Sequence, residues 1–210
     1  MKAANLLLAI GVGLGAILVL PGIRGAEVPS ALAAEGSATS WLRDKQATMA
    51  AVAAWPDPRK RETSVLALWR AWGDWDSVAA ESAGPQVWAG LEEAHRSRLA
   101  VLLADVSALN WLRRARSKDY SVAYLREERA GSRRIVVTRV SAEGGSADVR
   151  WVVAPVGGEF RLVDVVTEGS SMVAAQRASF ARVVARGGAK RLFKRLEDRL
   201  ADLRAEIAGR

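Results

Sequence analysis

The chain has 210 residues, half of them apolar, with a formal net charge of +8, a single histidine and no cysteine. The missing thiols exclude disulfides, thiolate zinc sites, thiol catalysis and a lipidated cysteine anchor, so the fold must rest on an ordinary hydrophobic core. A basic balance points to nucleic acid in a cytosolic protein, but to anionic lipid headgroups and acidic proteins outside the cytoplasm.

Lys2 and the uncharged run Leu6 to Leu20, closed by Pro21, have the form of a secretion signal. Ala31-Leu32-Ala33 offers small residues at the peptidase positions, so residues 1–33 are expected to be a signal peptide and 34–210 one domain. The alternative is a retained anchor, since Ala3 to Leu20 is 18 residues and just spans a hydrocarbon core of roughly 30 Å. No Arg-Arg pair precedes the apolar run, which favours the general secretory route and a periplasmic destination.

Next, Ser40 to Ala54 reads as a helix stopped at Trp55-Pro56-Asp57-Pro58. Arg59 to Trp72 reads as a second, and Asp74 or Asp76 can cap a short one around Val78 to Ser82, which Gly84-Pro85 ends while starting another. From Leu91 to about Arg116, apolar residues recur at helical spacing. The period then changes to two: Tyr120 to Glu128, Arg134 to Ala142, Ala147 to Ala154 and Glu159 to Thr167 read as four strands separated by glycine turns. Connections this short require an antiparallel meander. Two helices follow, from a cap at Ser170 or Ser171 to Gly187-Gly188, and from Ala189 to about Ile207. The class is α+β: helices, a curved four-stranded antiparallel meander and two C-terminal helices, one sheet face being covered.

Nothing in the sequence argues for an enzyme. His95 is alone beside Glu92, Glu93 and Arg96, so neither a His-rich metal site nor a histidine relay can form, and no metal or cofactor is expected. Glu92-Glu93 and Glu127-Glu128 are sequence neighbours whose side chains diverge. The paired glycines suit hairpin turns and belong to no phosphate-binding loop.

The stretch FRLVDVVTEGSSMVAAQRASFARVVARGGAKRLFKRL, from Phe160 to Leu196, resembles the MlaC family of periplasmic phospholipid-binding, or toluene-tolerance auxiliary, proteins and their hopanoid-associated relatives. The likeness lies in Phe160, Leu162, Asp164, Glu168-Gly169, Ser171, Met172-Val173, Arg177, Phe180 and Gly188, in that order and spacing. Asp74-Trp75-Asp76, Val78-Ala79, Gly84 and Trp88 extend it upstream. The resemblance departs near Gln176 and Trp111, where the family usually carries a Tyr, and between Trp88 and Leu99, where the segment is short.

The resemblance implies a carrier that takes acyl chains into an apolar cavity between sheet and helices. Its expected partners are phospholipid, an inner-membrane ABC transporter, an outer-membrane lipid complex and, transiently, the membrane; nucleic acid is not expected. The expected wall is Leu125, Val136, Val149, Trp151, Val153, Leu162, Met172, Val173 and Phe180, with Trp69, Leu99, Leu103 and Trp111 from the helices. Periodicity alone reads the same residues as plain core. Asp164, Glu168 and Arg177 are expected to form a structural clasp at the strand-helix corner. The competing reading is a membrane-tethered periplasmic adaptor of a transporter with no bound lipid.

Overall fold

A computed structural model of the chain describes residues 36–115, 120–142 and 145–208; the expected signal peptide lies outside the described residues. Four helices come first: α1 (Ala38–Ala53), α2 (Pro58–Trp72), α3 (Trp75–Ala89) and α4 (Glu93–Ala115). Each of the first three begins at an oxygen-bearing cap. Ser37 accepts from the Thr39 N–H at 3.1 Å, Asp57 from those of Arg59 and Lys60 at 2.9 and 3.1 Å, and Asp74 from that of Ser77 at 3.2 Å. Pro58 sits in the first turn of α2, where its missing N–H costs nothing.

The expected break at Gly84-Pro85 is real, and helix resumes beyond it as expected. Gly84 has φ +75° and ψ 162°, a conformation essentially reserved for glycine, and α3 is helical on either side. The long helix α4 is the expected one, and it buries Leu99, Leu103, Leu109 and Leu112 together with one carboxylate, Asp105.

The strands are β1 (Tyr120–Ala130), β2 (Arg133–Ala142), β3 (Gly145–Val156), β4 (Glu159–Thr167) and a two-residue β5 (Ser170–Ser171), joined in the order β1-β2-β3-β4-β5, all antiparallel. The meander is as expected, with a fifth strand because the chain pairs back on β4 across a tight turn in which Glu168 takes φ 49°. Two register shifts bend the sheet. Leu125 is skipped between Tyr124 and Arg126 in the pairing with β2, and Val163 is skipped in the pairing with β3. An extra unpaired residue of this kind sharpens the local twist and curves the strand.

One continuous core joins the helices to one face of the sheet. Trp69 packs on Trp72 with ring centroids 5.5 Å apart and on Trp111 at 6.2 Å, and Trp41 meets Phe160 edge-on at 6.5 Å. On the other sheet face a lattice of ion pairs, Arg126 and Arg150 with Glu128 and Arg139 with Asp148, flanks the buried Val137 in register. The parallel bridge between Gly73 and Leu162, with Asp74 N–H donating to Leu162 at 3.0 Å, pins the α2–α3 junction to β4.

The last helical element, α5 (Met172–Ala208), is two helices in one. Gly187 (φ −176°, ψ 22°) and Gly188 (φ 67°, ψ −174°) leave helical space where the sequence places the stop. Phe180 and Leu196 therefore line one cavity, although sixteen residues of straight helix would hold them ~24 Å apart.

Candidate functional site

The strand-helix corner is built by Asp164. Its Oδ1 accepts from the Val165 N–H at 2.8 Å and the Val173 N–H at 3.1 Å, and its Oδ2 accepts from the Ser171 hydroxyl at 2.6 Å. Ser171 Oγ in turn accepts from the Ala174 N–H at 3.0 Å, the cap foreseen from sequence. The expected clasp needs correction in its other two members. Arg177 turns away from Asp164 and donates from Nε to the Glu81 carbonyl at 2.6 Å, fastening α5 to α3 beside the Gly84 break. Glu168 is exposed and contributes the positive-φ turn instead of an ion pair. Next to this seam, the Ser82 hydroxyl donates to Gln176 Oε1 at 2.7 Å.

Ten of the thirteen expected wall residues are buried in the common core: Trp69, Leu99, Leu103, Val136, Val149, Val153, Leu162, Met172, Val173 and Phe180. Trp111 and Trp151 are half-buried and pack against it. Trp151 is held by a 2.9 Å hydrogen bond from Nε1 to Thr138 Oγ1, whose own proton goes to the Val149 carbonyl at 3.3 Å. Leu125 is the exception. As the bulge residue of β1 it is 42 % exposed, because the slipped register breaks the in-out alternation on which its inward placement depended.

Two openings lie away from the meander. A cavity of about 240 Å³ sits between α4 and both halves of α5. Its floor is Val106, Phe180, Val183, Leu192 and Leu196, and its polar margin is Asn110, Ser179, Arg195 and Arg199. Of the expected wall, only Phe180 reaches it. A second, wider depression of about 550 Å³ is bounded by His95, Arg98, Lys190, Phe193, Lys194 and Glu197, with the His95 and Phe193 rings 5.3 Å apart and Arg98 paired with Glu197. Sequence reasoning saw the leucine stripes of α4 and α5 but missed the cavity. The available signal was the pair Arg195 and Arg199, set one turn apart around the apolar stripe.

Cationic charge gathers behind that cavity. Arg199 donates to Glu206 at 3.0 Å and to Asn110 Oδ1 at 3.2 Å, while Arg113 approaches the same Glu206 at 3.4 Å. Arg114 has its Nε and Nη2 buried with no hydrogen-bond partner. Burial, followed by the repulsion of Arg113 and Arg199, pulls its guanidinium down to about 10. Among the described residues there is no group of three or more His, Cys, Asp or Glu that could hold a metal ion, and no helix long and apolar enough to cross a membrane.

Comparison with known proteins adds two findings. The family model of the MlaC protein matches residues 45–198, most of the described chain. Six chains of solved structures match as well, among them a phospholipid-binding protein from Ralstonia solanacearum in complex with a phospholipid. That structure aligns with a TM-score of 0.67 over 80 % of this chain and 99 % of its own, at 18 % identity. No curated protein matches.

Proposed function

The chain belongs to the MlaC family, and from that membership we propose that it is an exported, non-catalytic phospholipid carrier of the periplasm. The observation that carries the reading is the alignment of its helical layer, meander and closing helices with a structure that holds a phospholipid. In this reading the ligand's acyl chains contact Val136, Val149, Trp151, Val153, Leu162, Met172, Val173 and Phe180, with Trp69, Leu99, Leu103 and Trp111 from the helices. All of these line or adjoin the one apolar interior. Hydrocarbon entering there exchanges side-chain contacts for contacts of the same chemistry, so the layers part at little cost per unit area.

The energetics suit a shuttle. Shielding one sixteen-carbon chain from water is worth about 13 kcal/mol, at roughly 0.8 kcal/mol per methylene, whereas transfer from a bilayer is nearly neutral. An apolar interior therefore carries lipid across an aqueous space and releases it at a membrane. On this account the partners are an inner-membrane ABC transporter and an outer-membrane lipid complex, met at transient membrane contacts.

Native mass spectrometry of the protein exported from a Gram-negative host tests this. The expected result is a phospholipid adduct released by organic solvent; a folded protein that is empty in repeated preparations refutes it. The burial of ten expected wall residues in one continuous core favours a second reading, a tethered adaptor with no bound lipid. Lipid-free protein that retains residues 1–33 selects that one.

A further inference from the structure

We infer that the cavity between α4 and the two halves of α5 recognises the phosphate of an anionic phospholipid, with Arg195 and Arg199 at its mouth and Arg113 and Arg114 behind Arg199. The inference rests on the carrier reading for the lipid nature of the ligand and goes beyond it in assigning a headgroup class and a place.

The margin is rich in donors and poor in acceptors. Arg199 has engaged Asn110 Oδ1, which leaves the Asn110 amide to offer its N–H₂, and Ser179 adds a hydroxyl. Glu206 is the carboxylate paired with this group, and it is divided between Arg113 and Arg199. Arg114 brings a further cation whose Nε and Nη2 have no partner at all. Buried donors without acceptors are costly, and like charges crowded in a half-buried site raise the positive potential at its opening. Arg195, exposed one helical turn before Arg199, has no carboxylate within ion-pair distance among the described residues. An anionic oxygen cluster at the mouth gives Arg195 and Arg199 acceptors and offsets the excess charge, to which Arg113 and Arg114 add from behind; guanidinium groups match phosphate geometry with paired donors.

The floor decides what else the ligand carries. Val106, Phe180, Val183, Leu192 and Leu196 give free phosphate nothing, whereas they bury the first carbons of an acyl chain. The charge surplus discriminates between lipids. A zwitterionic headgroup brings its own cation toward four arginines, and a net negative one does not.

Calorimetric titration of the delipidated protein with dihexanoyl phosphatidylglycerol, dihexanoyl phosphatidylcholine and inorganic phosphate tests the assignment. The glycerol lipid is expected to bind about tenfold more tightly than the choline lipid, with a preference that shrinks as salt rises. Arg195→Gln is expected to weaken glycerol-lipid binding further than choline-lipid binding, so that the preference is lost, with the melting temperature unchanged, and Arg114→Gln to reduce the preference without loss of thermal stability. Equal affinity for the two lipids, or an Arg195→Gln protein that keeps the preference, overturns the site. Inorganic phosphate binding as tightly as the glycerol lipid overturns the amphiphile assignment. The carrier reading fails separately, through an empty wild-type protein; phospholipid that co-purifies with the same headgroup distribution in wild type and Arg195→Gln refutes this inference alone.

Discussion

Helix α2 is locked to α4 by a two-point ion pair whose members differ in exposure, and that difference makes a sharp prediction. Arg70 Nε and Nη2 donate to Asp105 Oδ1 and Oδ2, both at 2.7 Å, with the arginine side chain 46 % exposed and the aspartate 7 %. The hydrogen bonds to Asp105 hold the Arg70 guanidinium above its ordinary value despite partial burial. In Arg70→Ala the carboxylate is left buried and unpaired, which costs about 3 kcal/mol, the low end for a broken buried pair because water can follow through the vacated arginine site. In Asp105→Ala the arginine simply rehydrates, and the loss is about 1 kcal/mol. The double variant should also lose about 1 kcal/mol, since no stranded charge remains, so the coupling between the two sites is about 3 kcal/mol. For a domain of this size each kcal/mol moves the melting temperature by about 2–4 °C, which gives a fall of about 6–12 °C for Arg70→Ala against about 2–4 °C for Asp105→Ala. Thermal melts by circular dichroism, with urea titrations at neutral pH, read both values. An Asp105→Ala protein as unstable as Arg70→Ala refutes the argument that unequal burial sets the cost.

Other substitutions probe the corner, the sheet and the acid limb. Asp164→Ala removes three accepted hydrogen bonds and is expected to lose about 3 kcal/mol, against about 1 kcal/mol for Ser171→Ala, measured by urea unfolding; equal losses would place the anchor elsewhere. Thr138→Val leaves the Trp151 N–H without its acceptor and should cost about 1–2 kcal/mol in the same assay. Gly84→Ala meets only ordinary contact with Arg177 at 3.6 Å, yet should cost about 1–3 kcal/mol because of its backbone conformation, a loss visible in the melting temperature. Burial pushes the Glu127 carboxyl up, but the hydrogen bonds from the Thr39 N–H and the Ser37 and Thr39 hydroxyls outweigh it, and the net shift is down. A depressed carboxyl contributes stability that is present above its unfolded value of about 4.3 and is lost as pH falls through the lower folded value. Glu127→Gln should therefore flatten the stability profile below about pH 4.5 and leave its slope near neutrality unchanged.

Local chemistry made much of the architecture legible. Proline and aspartate at residues 56–58, the glycines at 187–188 and the switch from helical to two-residue periodicity at Tyr120 each act within a few residues of themselves, so element type and order follow without knowledge of the rest. The family likeness rested on the same kind of contiguous stretch, Phe160 to Leu196, and the match over residues 45–198 bears it out. What tertiary structure decided depends on which distant surfaces meet. Leu125 turned outward because β2 skips it, and a register shift belongs to a pair of strands, not to either one. Arg177 chose the Glu81 carbonyl over Asp164 because α3 packs beside α5, 96 residues away along the chain. A leucine stripe looks the same whether it meets side chains, a hollow or a hydrocarbon tail, since burial asks only that water be absent. The position of the cavity thus waited on the docking of α4 against both halves of α5, which brings Val106, Phe180 and Leu196 around one space and sets four arginines beside it.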